Sequence, residues 1–237
     1  VLFFPSSSIR TRVTFEKGVH QLGAQTILFP SDTLDKKEAI VDVMGYLDNW
    51  ADVVIVRHQD IKLIEKMAQT SSHPVINAMT KVNHPCEVLS DLYSLSKLRD
   101  DYLQAHYLFV GATGNIGLAW KEASQLLGLN LKQSCPKGFE MEGVNVIADL
   151  DEAMMGIDII LTDPLPAAVK QRFANHRITL ERMKKANENA LLNPCPPFTR
   201  GEEVSAAVID SDYFVGYEFK KDLLAVQQAI ILYCMEL

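Results

Sequence analysis

Residues 107–117 read YLFVGATGNIG, and this stretch decides the fold. The apolar run from Tyr107 to Val110 passes through Gly111-Ala112-Thr113-Gly114 straight into a segment of helical period, 117–127. A strand that enters a helix through a tight glycine turn is the unit from which parallel α/β sheets are built. The pattern repeats to either side. Short apolar runs bounded by turn residues predict strands at 26–29, 53–57, 75–77, 130–134, 145–148, 157–162, 190–193 and 213–216, besides 107–111. Helical periodicity falls between them, at 11–22, 36–50, 60–70, 87–98, 117–127, 149–155, 180–186 and 222–236. Alternation of this kind predicts an α/β protein with parallel sheets.

The polar stretch 97–106 interrupts the series and opens a second one. The expected organisation is therefore two parallel-sheet α/β domains, 1–96 and 97–219, with the helix in 220–237 packing back on the first. Such domains are expected to place an active-site cleft between them, outside the carboxyl ends of the strands. The chain opens directly on a strand-like LFF, which suggests that a leading segment is missing.

The 237 residues are 48% hydrophobic and 22% charged, the balance of an ordinary globular protein. A net charge of −7 argues against nucleic-acid binding, which needs a basic face. Cys86, Cys135, Cys195 and Cys234 are scattered without CxxC spacing, which favours reduced thiols over a disulfide framework or a metal site. No apolar run reaches membrane-spanning length and the opening residues do not form a signal peptide. The expected location is the cytoplasm.

Five segments carry residue types suited to chemistry. Ser6-Ser7-Ser8-Ile9-Arg10-Thr11-Arg12 opens a helix, where hydroxyls, backbone N–H groups and arginine can hold an anion. A plain helix cap with solvated arginines is the competing reading. Arg57-His58 ends an apolar strand, and His84-Pro85 stands at a helix entrance beside Glu87. Strand-end charges are often only solvated, and a histidine at that place can serve as a cap. The turn Gly111–Gly117 has the look of a dinucleotide site, which keeps an NAD(P)-dependent reductase in view. The next strand, however, is followed by Cys135-Pro136-Lys137-Gly138, with no carboxylate to hold a ribose, so close helix–strand packing is the competing account. Lastly, 193–203 reads NPCPPFTRGEE, whose prolines fix backbone carbonyls beside a strand end or merely stiffen a loop.

Taken in order, these segments resemble the aspartate/ornithine carbamoyltransferase superfamily. FFPSSSIRTRVTFEKGVHQLGA is similar to its carbamoyl-phosphate loop, in which Ser-Thr-Arg-Thr-Arg precedes an apolar helix. VVIVRH, NHPCEVLSDL, the glycine turn, LTDP and PCPPFTRGEEV follow in the family's order, the last nearer the ornithine type. The resemblance implies a carbamoyl-phosphate domain in 1–96 and an acceptor domain in 97–219. It implies that Ser8, Arg10 and Thr11 grip phosphate, that Arg57 and His84 polarise the carbamoyl carbonyl, and that Glu87 meets the carbamoyl amide. Cys195 and Pro196 would offer backbone carbonyls, while Asn115, Asp163 and Arg200 would meet a small amino-acid acceptor. Lys37 resembles a lysine lent to a neighbouring subunit, which implies a homotrimer. No metal or other cofactor is implied. Carbamoyl phosphate is a mixed anhydride, so alignment of amine and carbonyl (about 7–11 kcal/mol in the best cases) and oxyanion stabilisation (about 2.7–4 kcal/mol per donor) suffice.

The sequence also departs from the family. Ile9 replaces a threonine, Glu87 a glutamine and Pro194 a histidine. Asp163 leads into Pro164-Leu165-Pro166 instead of Ser-Met-Gly, and Leu223 stands where the ornithine type has arginine. A weakly active or inactive relative is the alternative these changes raise.

Overall fold

The computed structural model describes residues 1–236, and the chain divides into two compact units. The first comprises Val1–Tyr93 together with Lys220–Leu237, and the second comprises Ser94–Phe219.

In the first unit β1 (Leu2–Phe3), α1 (Arg10–Gln21), β2 (Leu28–Phe29), α2 (Ile40–Leu47), β3 (Val54–Arg57), α3 (Ile61–Thr70), β4 (Val75–Met79) and α4 (Pro85–Leu98) follow one another. The strands form one parallel sheet, in the order β2-β1-β3-β4. Strand alternation sorts the side chains into two cores. Leu2, Phe4 and Ile55 pack with Phe15 and Val19 of α1 on one face. Phe3, Val54 and Val56 pack with Met44 of α2 and Ile64 and Met67 of α3 on the other. A parallel sheet covered on both faces reads as continuous apolar sequence, which is why VVIV has no polar interruption. Each such fully buried side chain contributes about 1.5–3 kcal/mol by leaving water.

The second unit contains β5 (His106–Val110), α5 (Asn115–Leu127), β6 (Asn130–Ser134), β7 (Asn145–Val146), α6 (Leu150–Ala153), β8 (Ile159–Thr162), α7 (Leu180–Met183), β9 (Leu191–Pro194), α8 (Ala206–Ile209) and the start of α9 (Gly216–Lys221), whose Lys220 and Lys221 belong to the first unit. Its parallel sheet runs β7-β6-β5-β8-β9. Leu108, Val110, Ile160 and Leu192 face a core completed by α6, α7 and α8. On the other face the Tyr107 ring lies 5.6 Å from Trp120 of α5. A final helix, α10 (Leu223–Cys234), belongs to the first unit, where Gln228 Nε2 donates to the Gly18 carbonyl of α1 at 3.0 Å.

Several sequence expectations change. The strand expected at 213–216 is a single bridge between Phe214 and Leu192, after which Gly216 already starts α9. Helix α2 begins at Ile40 rather than at Lys36, because Ser31–Asp35 forms a separate 3-10 turn and Lys36 is extended. Strand β2 is two residues long, shorter than 26–29. The short elements α8 and α9, and the 3-10 turn Lys170–His176, carry too little periodicity to be read from sequence. Among the described residues no helix is long and apolar enough to cross a membrane, and no three His, Cys, Asp or Glu side chains cluster as metal ligands.

Candidate functional site

In the first unit the ends of β1 and β3 meet the start of α1. The chain leaves β1 through a turn in which the Ser8 N–H bonds the Pro5 carbonyl at 2.9 Å, and Ser8 is buried before the helix starts. Arg57 ends β3, and its Nη1 donates to Ser8 Oγ and to Thr11 Oγ1, both at 3.1 Å. Helix α1 has no side-chain cap among the described residues, so its first N–H groups and its dipole lie beside these hydroxyls. Ile9 is exposed and contributes no polar group. Arg10, the first residue of α1, is exposed. A cavity of about 230 Å³ adjoins Arg57, lined also by Ser7, Asp35, His58, Thr80 and Lys81. There His58 Nδ1 accepts from the Asp60 N–H at 3.1 Å, which leaves its ring proton on Nε2, 3.0 Å from Asp35.

His84 is presented by a tight turn in which Thr80 Oγ1 accepts from the N–H groups of Val82 and Asn83 at 3.2 and 3.0 Å. The imidazole is buried, and its Nδ1 has no hydrogen-bond partner among the described residues. Burial is the main reason its pKa falls to about 4; nearby Glu87 acts the other way, and Arg57 and Lys220 add to the lowering. The ring is therefore neutral at neutral pH. Cys86, next in the chain, is buried and pushed up to about 12 by burial first and Glu87 second, so it is an inert thiol. Glu87 is also buried. Burial would raise its pKa, but Lys220, then His84 and Arg10, outweigh this and hold it below the ordinary carboxylate value. Lys220 Nζ lies 2.6 Å from Glu87 Oε1 and 2.6 Å from Asp91 Oδ1. Lys37 is not part of this group. It is exposed, and neither it nor Lys36 makes a hydrogen bond or ion pair among the described residues.

In the second unit the candidates gather at the carboxyl ends of β5, β8 and β9. Asn115 starts α5, with its Oδ1 accepting from the Ile116 N–H at 3.0 Å. Asp163 follows β8, and its Oδ2 approaches the glycine turn so closely that a Cβ on Gly114 would lie 3.3 Å away. The glycines of that turn have a packing cause. A Cβ on Gly117 would stand 2.9 Å from the Phe109 ring and 3.0 Å from Met141 Sδ, so α5 sits on the aromatic of β5 only without a side chain there. Cys195 continues β9, its N–H bonding the Thr162 carbonyl at 2.8 Å. The peptide between Pro196 and Pro197 is cis. Beyond it the loop closes on itself: Glu203 accepts from the Thr199 N–H at 2.5 Å, and Arg200 donates to Asp210 at 2.7 Å and to the Ala206 carbonyl at 3.3 Å.

Sequence reasoning passed over Lys220 and Asp91. The available signal was the i, i+4 pair Glu87 and Asp91 on a helix whose neighbouring positions Val88, Leu92 and Leu95 are apolar, because two carboxylates turned inward require a cation.

Comparison with known proteins gives two family matches. Residues 1–97 match the aspartate/ornithine carbamoyltransferase carbamoyl-P binding domain, and residues 104–234 match the Asp/Orn binding domain of the same family. The ornithine carbamoyltransferase of Chromobacterium violaceum is 32% identical over 99% of this chain and 83% of its own length. That of Burkholderia cenocepacia is 33% identical over 97% and 81%. The crystal structure of ornithine carbamoyltransferase from Burkholderia thailandensis superposes with a TM-score of 0.91 at 30% identity, over 99% of this chain and 83% of that one.

Proposed function

Because the chain belongs to the aspartate/ornithine carbamoyltransferase family, we propose that it moves the carbamoyl group of carbamoyl phosphate to the amino group of an ornithine-like acceptor, releasing phosphate. The observation that carries this reading most directly is Arg57 joined to Ser8 and Thr11 beside the open start of α1. Serine, threonine, arginine and a helix N-terminus together suit a phosphate dianion.

In this reading Ser8, Arg10, Thr11 and the first turn of α1 hold the phosphate. Arg57 and neutral His84 polarise the carbamoyl carbonyl. The uncharged acceptor amine attacks the carbonyl carbon, its nitrogen forms the new C–N bond, and the C–O bond to phosphate breaks. The amine proton leaves to the departing phosphate or to water. A neutral imidazole can donate one N–H to the developing oxyanion. Glu87 accepts from the carbamoyl NH2, as do the backbone carbonyls of Cys195 and Pro196, while Asn115, Asp163 and Arg200 receive the acceptor. The anhydride supplies its own leaving group, so these residues need no covalent nucleophile.

The working form is a homotrimer in the cytoplasm, in which Lys37 reaches the phosphate of a neighbouring subunit. Two exposed lysines without intrasubunit partners support that assignment.

The direct test incubates the purified protein with radiolabelled carbamoyl phosphate and, separately, ornithine, lysine, putrescine or aspartate. A labelled ureido product from ornithine, and none from aspartate, is expected. Label retained in carbamoyl phosphate with every amine would overturn the activity.

A further inference from the structure

Glu87 and Asp91 lie four residues apart on α4, the spacing that stacks two side chains on one helix face. Glu87 is 5% exposed and Asp91 2%. Two carboxylates removed from water at this separation cannot both remain charged without a cation. The cation comes from far along the chain. Lys220 on α9 is the residue at which the chain re-enters the first unit, and it reaches Asp91 across a separation of 129 residues. Its Nζ is equidistant from the two carboxylates at 2.6 Å, and the ammonium is largely withdrawn from solvent.

We propose that Lys220 is a positioning residue of the carbamoyl-phosphate half-site, fixing the Glu87 carboxylate in place and in its acceptor-only form so that it recognises an N–H donor of the carbamoyl group. The role rests on the carbamoyl-transfer reading given above. An ionised carboxylate only accepts hydrogen bonds, whereas a protonated one also donates and would present the wrong hydrogen to an amide NH2.

The charges around Glu87 come from several elements. The turn before α4 supplies neutral His84, α4 itself the carboxylate of Asp91, α1 Arg10, and α9 Lys220. Arg57 of β3 acts on His84, and the buried Cys86 thiol feels Glu87. Arg10, Arg57 and Lys220 thus surround the group of His84, Glu87 and Asp91, three positive charges against two negative. Without Lys220 the count is even, next to an anionic ligand, and the two carboxylates share a proton. Affinity then falls as pH rises, because losing that proton adds a negative charge beside the phosphate.

The experiment measures carbamoyl phosphate binding by calorimetry between about pH 6 and about pH 8.5 for the full chain and its variants. Wild type is expected to change by less than about twofold, and Lys220→Met to weaken by about tenfold toward high pH. Lys220→Arg should restore the flat profile. Should Lys220→Met fail to fold, Lys220→Gln removes the same charge while keeping a hydrogen-bond donor for the two carboxylates, and the same pH-dependent weakening is expected. Wild type and Lys220-deficient profiles that run parallel overturn the role of Lys220 alone. Absence of binding by wild type overturns carbamoyl transfer and this role with it.

Discussion

Arg57 Nη1 donates to Ser8 Oγ at 3.1 Å across 49 residues of sequence, and the same nitrogen donates to Thr11 Oγ1. Each hydroxyl accepts from the guanidinium and so keeps its own O–H free to donate. One arginine therefore orients two hydroxyl donors at the start of a helix, and its own plane is fixed in return. Rigid donors already in position lose little on meeting an anion, and that preorganisation links the end of β3 to the chemistry proposed for this unit.

Arg10 differs from Arg57 in being exposed, so its loss should separate binding from folding. Arg10→Ala is expected to weaken carbamoyl phosphate binding by about tenfold to a hundredfold, the range of a charge-assisted hydrogen bond. Stability should move by no more than about 0.5 kcal/mol, as for other surface substitutions. Calorimetry and thermal melting on the same preparation check both, and unchanged affinity would remove Arg10 from the phosphate site.

The buried imidazole of His84 should make stability depend on acid. Its pKa falls from 6.5 to about 4 in the folded protein, with burial as the leading cause. The unfolded chain then takes up a proton that the folded chain refuses, so stability is intact above about pH 6.5 and declines as pH drops toward 4. The full loss is about 3 kcal/mol, from about 1.4 kcal/mol per pH unit. His176 is lowered as well, mainly by burial, so the comparison must be differential. His84→Gln should flatten the pH dependence in this window relative to wild type in denaturant titrations. Identical slopes would mean that His84 is protonated in the folded state.

The glycine turn 111–117 announced a parallel α/β fold because a strand, a tight turn and a helix are local features. The Arg57, Ser8 and His84 segments were visible for the same reason, each lying at the end of an apolar run. The boundary of α2 was misread because Lys36-Lys37-Glu38 continues a helix-compatible pattern that the backbone does not follow. The segment 213–216 has the apolar character of a strand, yet only Phe214 bridges β9, since Gly216 must open α9 against that ring. Lys220 was illegible because its partners lie 129 and more residues away, and a lysine pair at a helix end reads as solvated.

Gly117→Ala tests whether the turn serves packing. The added methyl carbon would stand 2.9 Å from Phe109 and 3.0 Å from Met141 Sδ, so a loss of about 1–3 kcal/mol is expected in denaturant unfolding. Combining it with Phe109→Leu should recover part of that loss, because the ring edge is what the methyl group meets. Wild type titrated with NAD or NADP should show no saturable binding in the micromolar range. Micromolar binding would instead assign the turn to a dinucleotide and revive a reductase function.

The shared-site arrangement makes a prediction that no single-subunit experiment can reach. Lys36 and Lys37 are exposed on the bend before α2, where neither makes an ion pair among the described residues. Within one subunit the net balance of Arg10, Arg57 and Lys220 against Glu87 and Asp91 is a single positive charge, which is little for a phosphate dianion. A cyclic trimer supplies another cation if each Lys37 reaches into the next subunit. Arg57→Ala and Lys37→Ala should then each be inactive alone, because every site in either homotrimer carries one defect. Mixed under conditions that exchange subunits, hybrid trimers contain some sites built from an intact Arg57 and an intact Lys37. Roughly a quarter of the sites are of this kind at equal mixing, so activity should return to that order. Sedimentation should show a trimer before and after exchange. A monomer in sedimentation, or a mixture that exchanges subunits yet stays inactive, would place Lys37 outside the active site.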